Sequence, residues 1–265
     1  MNMDITERGI LAIIIGIIQG LAEFFPISSS MHLNLFKDLV NYGDDAIIIS
    51  AHCGTMFALL VFFRSYIFQS INGFLDLIRG MIDFKHFFNI SQIDIMFAAT
   101  FPICIGAMFI NRADYDLKTM AALNAIFAIV VFLVNRFCKS KEGSLSIFHA
   151  FVVGTFQVLS IFPGMSRLGM CMIAMRLMNY DLKTSIRYGL LFSIPAVFGS
   201  IIFSMSEFDY NDILSHIVCV LSAFAVGLFV MRFAINLLTY RYGMLLLTFY
   251  RVGLSLLMYG ITCCS

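Results

Sequence analysis

The sequence predicts an all-α polytopic membrane protein made of two inverted repeats, each holding one re-entrant helical hairpin and three transmembrane helices. The composition supports a membrane protein, because 60% of the residues are hydrophobic, only 12% are charged, and the mean hydropathy is +0.92. Soluble domains are far more polar than this. Apolar segments recur along the whole chain, so we treat residues 1–265 as a single integral membrane domain.

Transmembrane helices are predicted for runs long enough to cross about 30 Å of hydrocarbon at about 1.5 Å per residue. Six such runs lie near residues 46–63, 92–110, 120–137, 187–204, 213–230 and 242–262. Two further stretches, 9–40 and 147–180, are interrupted at Pro26 and Pro163. Each half of these stretches is too short to span the membrane, so we predict two re-entrant hairpins whose tips stop near its midplane.

One hairpin and three spans make up a first repeat over about 9–137 and a second over about 147–262. Because three is odd, the second hairpin enters from the opposite face, which inverts the repeat. The two hairpins also share a sequence pattern, which reads Gly16-x-x-Gln19-x-Leu21 with Phe25-Pro26 in the first and Gly154-x-x-Gln157-x-Leu159 with Phe162-Pro163 in the second. Broken segments at corresponding positions of two halves indicate a polar site between them.

The charge of the predicted loops gives the orientation. One set of loops carries eleven basic residues, Arg64, Arg79, Lys85, Arg136, Lys139, Lys141, Arg176, Lys183, Arg187, Arg232 and Arg241. The opposite set carries four basic residues, Arg8, Lys37, Arg112 and Lys118, together with the acids Asp44, Asp45, Glu207, Asp209 and Asp212. Positively charged loops face the cytoplasm, so both termini are expected outside.

The composition also narrows the classes of function. A formal net charge of +1 without a basic stripe gives no support for nucleic-acid binding. The seven cysteines lack C-x-x-C or metal-ligand spacing. We therefore interpret most of them as packing residues.

The first chain break combines a carboxylate with hydroxyl and imidazole groups. Gln19 and Glu23 are four residues apart and therefore share one helix face. The polar residues that follow the break are Ser28, Ser29, Ser30 and His32. Together these groups supply a candidate nucleophile, a candidate base and oxygen ligands for a hard cation.

The second break has the features of an anion site. Gly164, Ser166 and Arg167 stand at a predicted helix start, where backbone N–H groups and a guanidinium bind phosphate. If the two breaks meet, their residues fit phosphoryl or pyrophosphoryl chemistry. Arg251, in the middle of the last predicted span, requires a carboxylate, backbone carbonyls or a ligand, so we expect it to line or support this site.

Each of these features also has a purely structural interpretation. The serines can cap the second half-helix, His32 can be a hydrogen-bonded packing residue, and Glu23 and Arg167 can form a buried ion pair that joins the hairpins. His52, at the start of a predicted span, can reach the site, although a position nearer the membrane interface is favoured. A functional interpretation is favoured because the reactive residues coincide with the repeated segments.

The two motifs resemble those of the undecaprenyl pyrophosphate phosphatase family, membrane enzymes named for bacitracin resistance. The segment Gln19-Gly-Leu-Ala-Glu23-Phe-Phe-Pro26-Ile-Ser28-Ser29-Ser30-Met31-His32 is similar to the family's (E/Q)xxxE motif with its downstream Ser-Ser-x-x-His. The segment Pro163-Gly164-Met165-Ser166-Arg167 is similar to the family's PGxSR. Gly54-Thr55 and Tyr250-Arg251-x-Gly253 also match the family pattern, so the resemblance covers nearly the whole chain.

The resemblance implies hydrolysis of the C55 polyprenyl (undecaprenyl) pyrophosphate to its monophosphate, the lipid carrier for cell-wall sugars, in the bacterial cytoplasmic (inner) membrane. It implies a divalent cation, Mg²⁺ or Ca²⁺, near Glu23 and Gln19. It makes Ser29 and His32 nucleophile or base without deciding which, and Arg167 a phosphate-holding catalytic residue. The substrate-binding residues are expected to be Gln19, Ser28, Ser30, Gly164, Ser166 and Arg251. The expected partners are the polyprenyl pyrophosphate and membrane lipids, with a homodimer left open.

The chain departs from the family pattern at a few positions. Leu168 and Cys171 replace two hydroxyl residues of the family's SRSGxT, Gln19 is the less charged of two options, and Met31 replaces a usual glycine. We expect these changes to affect turnover and substrate range more than the fold. If Leu168 and Cys171 face phosphate, restoring the hydroxyls by Leu168→Ser and Cys171→Thr should tighten pyrophosphate binding.

A transporter or flippase for polyprenyl phosphate or another anion is the alternative function, because inverted repeats with broken helices are typical of transporters. The lost hydroxyls favour this alternative slightly. The Ser-Ser-x-x-His cluster favours an enzyme, because transport alone requires no nucleophile. A structural membrane protein with an inactive site is a third reading.

Overall fold

The computed structural model describes residues 4–40, 42, 45–69, 92–110, 115–140, 145–205 and 212–264. Its helices are α1 (Ile5–Ala22), α2 (Ser29–Val40), α3 (Asp45–Phe62), α4 (Gln92–Phe109), α5 (Leu117–Phe137), α6 (Ile147–Val158), α7 (Arg167–Leu177), α8 (Leu182–Ser204), α9 (Ile213–Thr239) and α10 (Gly243–Cys264). No β-strand occurs within the described ranges. The predicted all-α class is therefore confirmed.

Five helices are long and apolar enough to cross a membrane, namely α1, α5, α8, α9 and α10. The last four correspond to predicted spans, so the prediction of a multi-pass membrane protein is confirmed. The predicted spans near 46–63 and 92–110 correspond to shorter apolar helices, Ala46–Phe62 and Asp94–Phe109. The orientation and the inverted repeat stay predictions. Of the charged residues used for the orientation, those outside the described residues are Arg79, Lys85, Arg112, Lys141, Asp44, Glu207 and Asp209.

Two predicted boundaries are wrong. Helix α1 begins at Ile5 rather than near residue 9, because Asp4 caps it. The Asp4 carboxylate accepts a hydrogen bond from the Ile5 N–H (2.7 Å), and the Glu7 carboxylate accepts one from the Asp4 N–H (3.2 Å). The added polar turn makes α1 18 residues long, so it is not too short to span. Helix α9 continues to Thr239, so Arg232 lies inside a helix rather than in a loop.

Both predicted chain breaks are present. Helix α1 ends at Ala22 and α2 starts only at Ser29, with Pro26 between them and Ser28 in the left-handed region at φ +64°. After α6, a single 3₁₀ turn over Leu159–Ile161 leads into a non-helical segment that lasts until α7. Proline contributes to both interruptions, because its ring removes an N–H donor and clashes with the preceding helical turn. Proline alone is not sufficient, since Pro102 and Pro195 lie inside α4 and α8.

Close helix contacts bring the two breaks into the interior. Helix α1 packs chiefly against α9, and a Cβ added to Gly16 would lie 2.6 Å from the carbonyl oxygen of Cys219. Helix α6 packs in the same way against α4, and a Cβ on Gly154 would lie 2.5 Å from the carbonyl oxygen of Ala99. Glycine is therefore required at both contacts. The main apolar core surrounds the breaks and includes Phe24, Phe127, Leu168, Leu190 and Met231.

Candidate active site

The two chain breaks meet at a charge pair. Glu23 Oε1, one residue beyond α1, lies 3.6 Å from Arg167 Nη1, at the first residue of α7. The Glu23 side chain is only 7% exposed and that of Arg167 is 20% exposed. Ser166 adds a second link, because its hydroxyl lies 3.5 Å from the carbonyl oxygen of Phe25. Residues far apart in the sequence thus form one polar centre.

The Glu23 carboxylate connects the residues of this centre. Its Oε2 atom accepts a hydrogen bond from the Ser29 hydroxyl at 2.5 Å and from Gln19 Nε2 at 3.1 Å. The contact with Gln19 follows from their spacing of four residues on a helix. The contact with Ser29 places a hydroxyl against a carboxylate oxygen that can accept its proton.

Gln19 belongs to α1, and its fully buried side chain contacts α3. Its Nε2 atom is also 2.9 Å from His52 Nδ1 and 3.4 Å from the Thr55 hydroxyl. The expected interfacial position of His52 is therefore wrong, because this residue belongs to the surroundings of the site. The neighbouring Gly54 is the feature of the sequence that could have indicated this position. An added Cβ at Gly54 would lie 2.5 Å from the carbonyl oxygen of Val220, so this turn of α3 packs closely against α9.

Arg167 has unused capacity to bind an anion. Its Nε and Nη1 atoms are buried and, among the described residues, have no hydrogen-bond partner. Burying such donors is costly unless something accepts from them. Ser166 caps the same helix by accepting from the Gly169 N–H at 3.3 Å. A guanidinium and a helix N-terminus are thus aimed at the space beside Glu23, an arrangement that binds phosphate.

Arg251 ties the two breaks together from α10. Its Nη1 donates to the carbonyl oxygen of Pro26 and its Nη2 to that of Gly164, both at 2.5 Å, and its Nε donates to Asn124 Oδ1 at 2.8 Å. The guanidinium also lies over the Phe127 ring, 4.4 Å from its centroid. Backbone carbonyls are therefore the partners that this buried cation finds, and contact of Arg251 with substrate stays a prediction.

Sequence reasoning missed Asn124, although it is a lone amide within the apolar run of α5. It is fully buried, and its Nδ2 donates to the carbonyl oxygen of Arg251 at 2.9 Å and to the Ser255 hydroxyl at 2.8 Å. Gly164, where φ is +85°, needs glycine because an added Cβ would lie 2.9 Å from the carbonyl oxygen of Met120. Asn124 and Gly164 thus shape the second break.

The remaining predicted residues of the first break differ in exposure, since Ser28 is buried, His32 is half-buried and Ser30 is exposed. His32 hydrogen-bonds through Nδ1 to the carbonyl oxygen of Ser28 and through Nε2 to the Tyr250 hydroxyl, both at 2.7 Å. The hydroxyls of Ser28 and Ser30 lie 3.3 Å apart. The structure therefore gives Ser29 and His32 different partners, since Ser29 contacts Glu23 and His32 contacts Ser28 and Tyr250.

Leu168 and Cys171, whose replacement by hydroxyl residues was predicted to help only if they face phosphate, lie in the core. Both are buried, and both pack against Gly189 of α8. A Cβ on Gly189 would lie 2.7 Å from Leu168 Cδ1 and 3.1 Å from Cys171 Cβ. Packing of α7 against α8 therefore buries both side chains in the core, which one sequence motif alone does not reveal.

The residues around Glu23 fit a hard cation. Gln19 Oε1 is buried without a hydrogen-bond partner among the described residues, next to the Glu23 carboxylate. Carboxylate and amide oxygens are the ligands that Mg²⁺ and Ca²⁺ prefer. In the described part of the chain, no three His, Cys, Asp or Glu side chains lie close enough together to hold a metal ion. Any cation here would therefore need further oxygen ligands, such as those of a phosphate group.

The fold and the site define an integral membrane protein with a polar, charged centre between two broken helical segments. Residues 12–257 match the family described as bacitracin resistance protein BacA, and the chain belongs to this family. Membership confirms the resemblance found in the two motifs and the hydrolase class that the resemblance implied.

Curated relatives carry the name undecaprenyl-diphosphatase. One from Dinoroseobacter shibae is 33% identical over 71% of this chain and 73% of its own length. One from Pelagibacter ubique is 27% identical over 83% of this chain and 85% of its own length. One from Methanococcus maripaludis is 29% identical over 83% of this chain and 88% of its own length.

Proposed function

We propose that this protein hydrolyses undecaprenyl pyrophosphate, or a closely similar polyprenyl pyrophosphate, to the lipid monophosphate and inorganic phosphate. The observation that carries the proposal is the short contact between the Ser29 hydroxyl and Glu23 Oε2, with Arg167 on the other oxygen of the same carboxylate. This arrangement supplies a hydroxyl nucleophile, a base and an anion-binding group in one largely buried site. The relatives' names support the substrate.

Ser29 is the nucleophile in this proposal, and Glu23 is its base. The Ser29 oxygen attacks the distal phosphorus while its proton moves to Glu23 Oε2. The bond from that phosphorus to the bridging oxygen breaks, and the lipid monophosphate leaves. Glu23 passes the serine proton to the leaving lipid phosphate and is again a carboxylate. Water then attacks the phosphoserine and gives a proton to that carboxylate, and Glu23 returns the proton to the Ser29 oxygen as the bond from phosphorus to that oxygen breaks and phosphate departs. His32 is not the attacking group, because its ring nitrogens are directed to Ser28 and Tyr250.

Arg167 stabilises the charge that gathers on the phosphoryl oxygens during this transfer. Its buried Nε and Nη1 atoms gain acceptors only when an anion arrives, so they contribute more to the bound and transition states than to the free protein. Glu23 and Gln19 Oε1 would hold Mg²⁺ or Ca²⁺. When bound, the cation would neutralise part of the pyrophosphate charge.

The two-repeat architecture is part of the proposal. The first helix of each hairpin packs on the second span of the other repeat, α1 on α9 and α6 on α4, and the two third spans, α5 and α10, lie together. This reciprocal pattern supports two inverted repeats related by an axis through the site. Residence in the bacterial inner membrane is inferred from the family, and the placement of both termini outside rests on the loop charges. External cysteine labelling of Ser140→Cys in intact cells, with accessible native cysteines replaced, is expected to fail, and efficient labelling would contradict this orientation.

Phosphate release from C55 pyrophosphate by the purified protein in detergent tests the function. Release is expected with Mg²⁺ or Ca²⁺ and is expected to fall when a chelator is added. Glu23→Gln should remove most of it, whereas Asp38→Asn, an exposed acid at the end of α2, serves as the matched control and should be neutral. No release in any condition, together with movement of the lipid phosphate across vesicle membranes, would favour the transporter alternative.

A further inference from the structure

The His32 ring is held between two hydrogen bonds. Its Nε2 atom lies 2.7 Å from the hydroxyl of Tyr250, and the two rings are stacked with centroids 5.8 Å apart at 7°. Tyr250 is 47% exposed on α10, next in sequence to the fully engaged Arg251. The neighbouring side chains of α10 thus hold the first break at two places, one at the Pro26 carbonyl and one at His32.

The partners of His32 decide which of its nitrogens carries the proton. Nδ1 lies 2.7 Å from the Ser28 carbonyl oxygen, which can only accept, so Nδ1 must donate. Nε2 of the neutral ring is then the nitrogen with the lone pair, and the Tyr250 hydroxyl donates to it. Ser28 adopts φ +64°, a conformation that is unfavourable for a residue with a side chain and that places its carbonyl toward the ring.

We propose that Tyr250 is a positioning residue: by donating to Nε2 and stacking on the ring, it holds the His32 imidazole in place beside the first break, in the Nδ1–H tautomer that the Ser28 carbonyl selects. The Ser29 hydroxyl donates to Glu23, and the hydrogen bonds of His32 go to Ser28 and Tyr250, so His32 assists the proposed transfer from outside the Ser29–Glu23 pair. About half of the Tyr250 surface is exposed. The inference rests on the proposed function for the step that His32 assists, whereas the tautomer does not depend on it.

Chemical modification of the substrate-free protein tests the contact without any assay of activity. Diethyl pyrocarbonate carbethoxylates histidine by attack of a nitrogen lone pair on its carbonyl carbon, with loss of ethyl carbonate. Tyr250→Phe keeps the stacked ring and removes the hydroxyl, so the labelling rate at His32, read by peptide mass spectrometry, should rise several-fold. Tyr259→Phe, an exposed tyrosine of the same helix, is the matched control. Equal rates in wild type and Tyr250→Phe would overturn the proposal.

A double-mutant cycle tests the functional consequence. Tyr250→Phe is expected to lower kcat about tenfold with little change in KM, the size of one lost hydrogen bond. In a His32→Ala background the same change should have no further effect, because no imidazole is left to position. Equal losses in both backgrounds would show that Tyr250 acts only on the structure and would overturn the proposal. If the wild type releases no phosphate, the proposed function fails, and the labelling rates still decide the role of Tyr250.

Discussion

Glu23 Oε1 and Arg167 Nη1 lie 3.6 Å apart at the meeting point of two chain breaks that are more than a hundred residues apart in the sequence. At this distance the pair is an ion contact rather than a good hydrogen bond. The buried nitrogens of Arg167 therefore remain available to a ligand. The pair joins the two hairpins and also leaves the site able to take up phosphate.

Removing the guanidinium should abolish most activity without unfolding the protein. Arg167→Ala is expected to lower kcat about a hundredfold, on the order of 3 kcal/mol, because a charge-assisted contact to the transferring phosphoryl group is lost in a poorly hydrated site. Phosphate release at saturating lipid, together with size-exclusion elution in detergent, measures both effects. Arg136→Ala, at the exposed end of α5, is the control. A well-folded Arg167→Ala protein with near wild-type turnover would refute the role.

Replacing Gln19 by glutamate tests the proposed cation site. Gln19→Glu puts a second carboxylate beside Glu23, where like charges repel unless a cation lies between them. The concentration of Mg²⁺ or Ca²⁺ that gives half-maximal activity should therefore fall several-fold, and activity in chelator should fall as well. A titration of phosphate release against each cation measures this. An unchanged cation requirement would place the metal elsewhere.

Arg251 should matter for the fold before it matters for chemistry. Arg251→Ala leaves two buried carbonyls and Asn124 without their charged donor, a loss of roughly 3 to 5 kcal/mol. We expect a lower thermal transition in detergent and a smaller yield of inserted protein. Arg241→Ala, in the exposed turn before α10, provides the comparison and should leave both unchanged. Full stability of Arg251→Ala with lost activity would instead favour direct contact with substrate.

Restoring the family's hydroxyl at position 168 should harm this protein. Leu168 is 1% exposed and packs against α8, so Leu168→Ser removes buried apolar volume and leaves a cavity. The expected loss of stability is about 3 to 5 kcal/mol, with no gain in kcat/KM. Cys171→Thr, which nearly conserves volume, should be tolerated better. A higher kcat/KM for Leu168→Ser in folded protein would show that this position faces phosphate after all.

The sequence was sufficient for features that depend on local chemistry. Proline disfavours a helix interior and serine follows closely at both sites, so the breaks at Pro26 and Pro163 could be placed, although Pro102 and Pro195 lie inside α4 and α8. Gln19 and Glu23 had to share a helix face because they are four residues apart. Polar groups in lipid require partners, so we expected the residues of both breaks to share one site. The catalytic and substrate-binding roles given to these residues stay predictions.

Other features depend on contacts between distant segments and could not be predicted. The start of α1 depends on the Asp4 cap, which stands outside the apolar run. The direction of Leu168 depends on how α7 packs against Gly189 of α8, and the placement of His52 on how Gly54 packs against α9. For Arg251 the sequence offered three kinds of partner, and only the fold shows that two backbone carbonyls and Asn124 receive its donors.

The most direct test of the mechanism is to look for phosphate bound to Ser29. Purified protein would be mixed with polyprenyl pyrophosphate labelled in its distal phosphate, quenched in acid within the first turnover, digested and examined by peptide mass spectrometry. The account predicts label on the peptide that carries Ser29, no label and little turnover in Ser29→Ala, and undiminished labelling in a Ser160→Ala control, whose hydroxyl bonds the Gln157 carbonyl. Rapid phosphate release by Ser29→Ala, or release by the wild type with Ser29 never labelled, would contradict it.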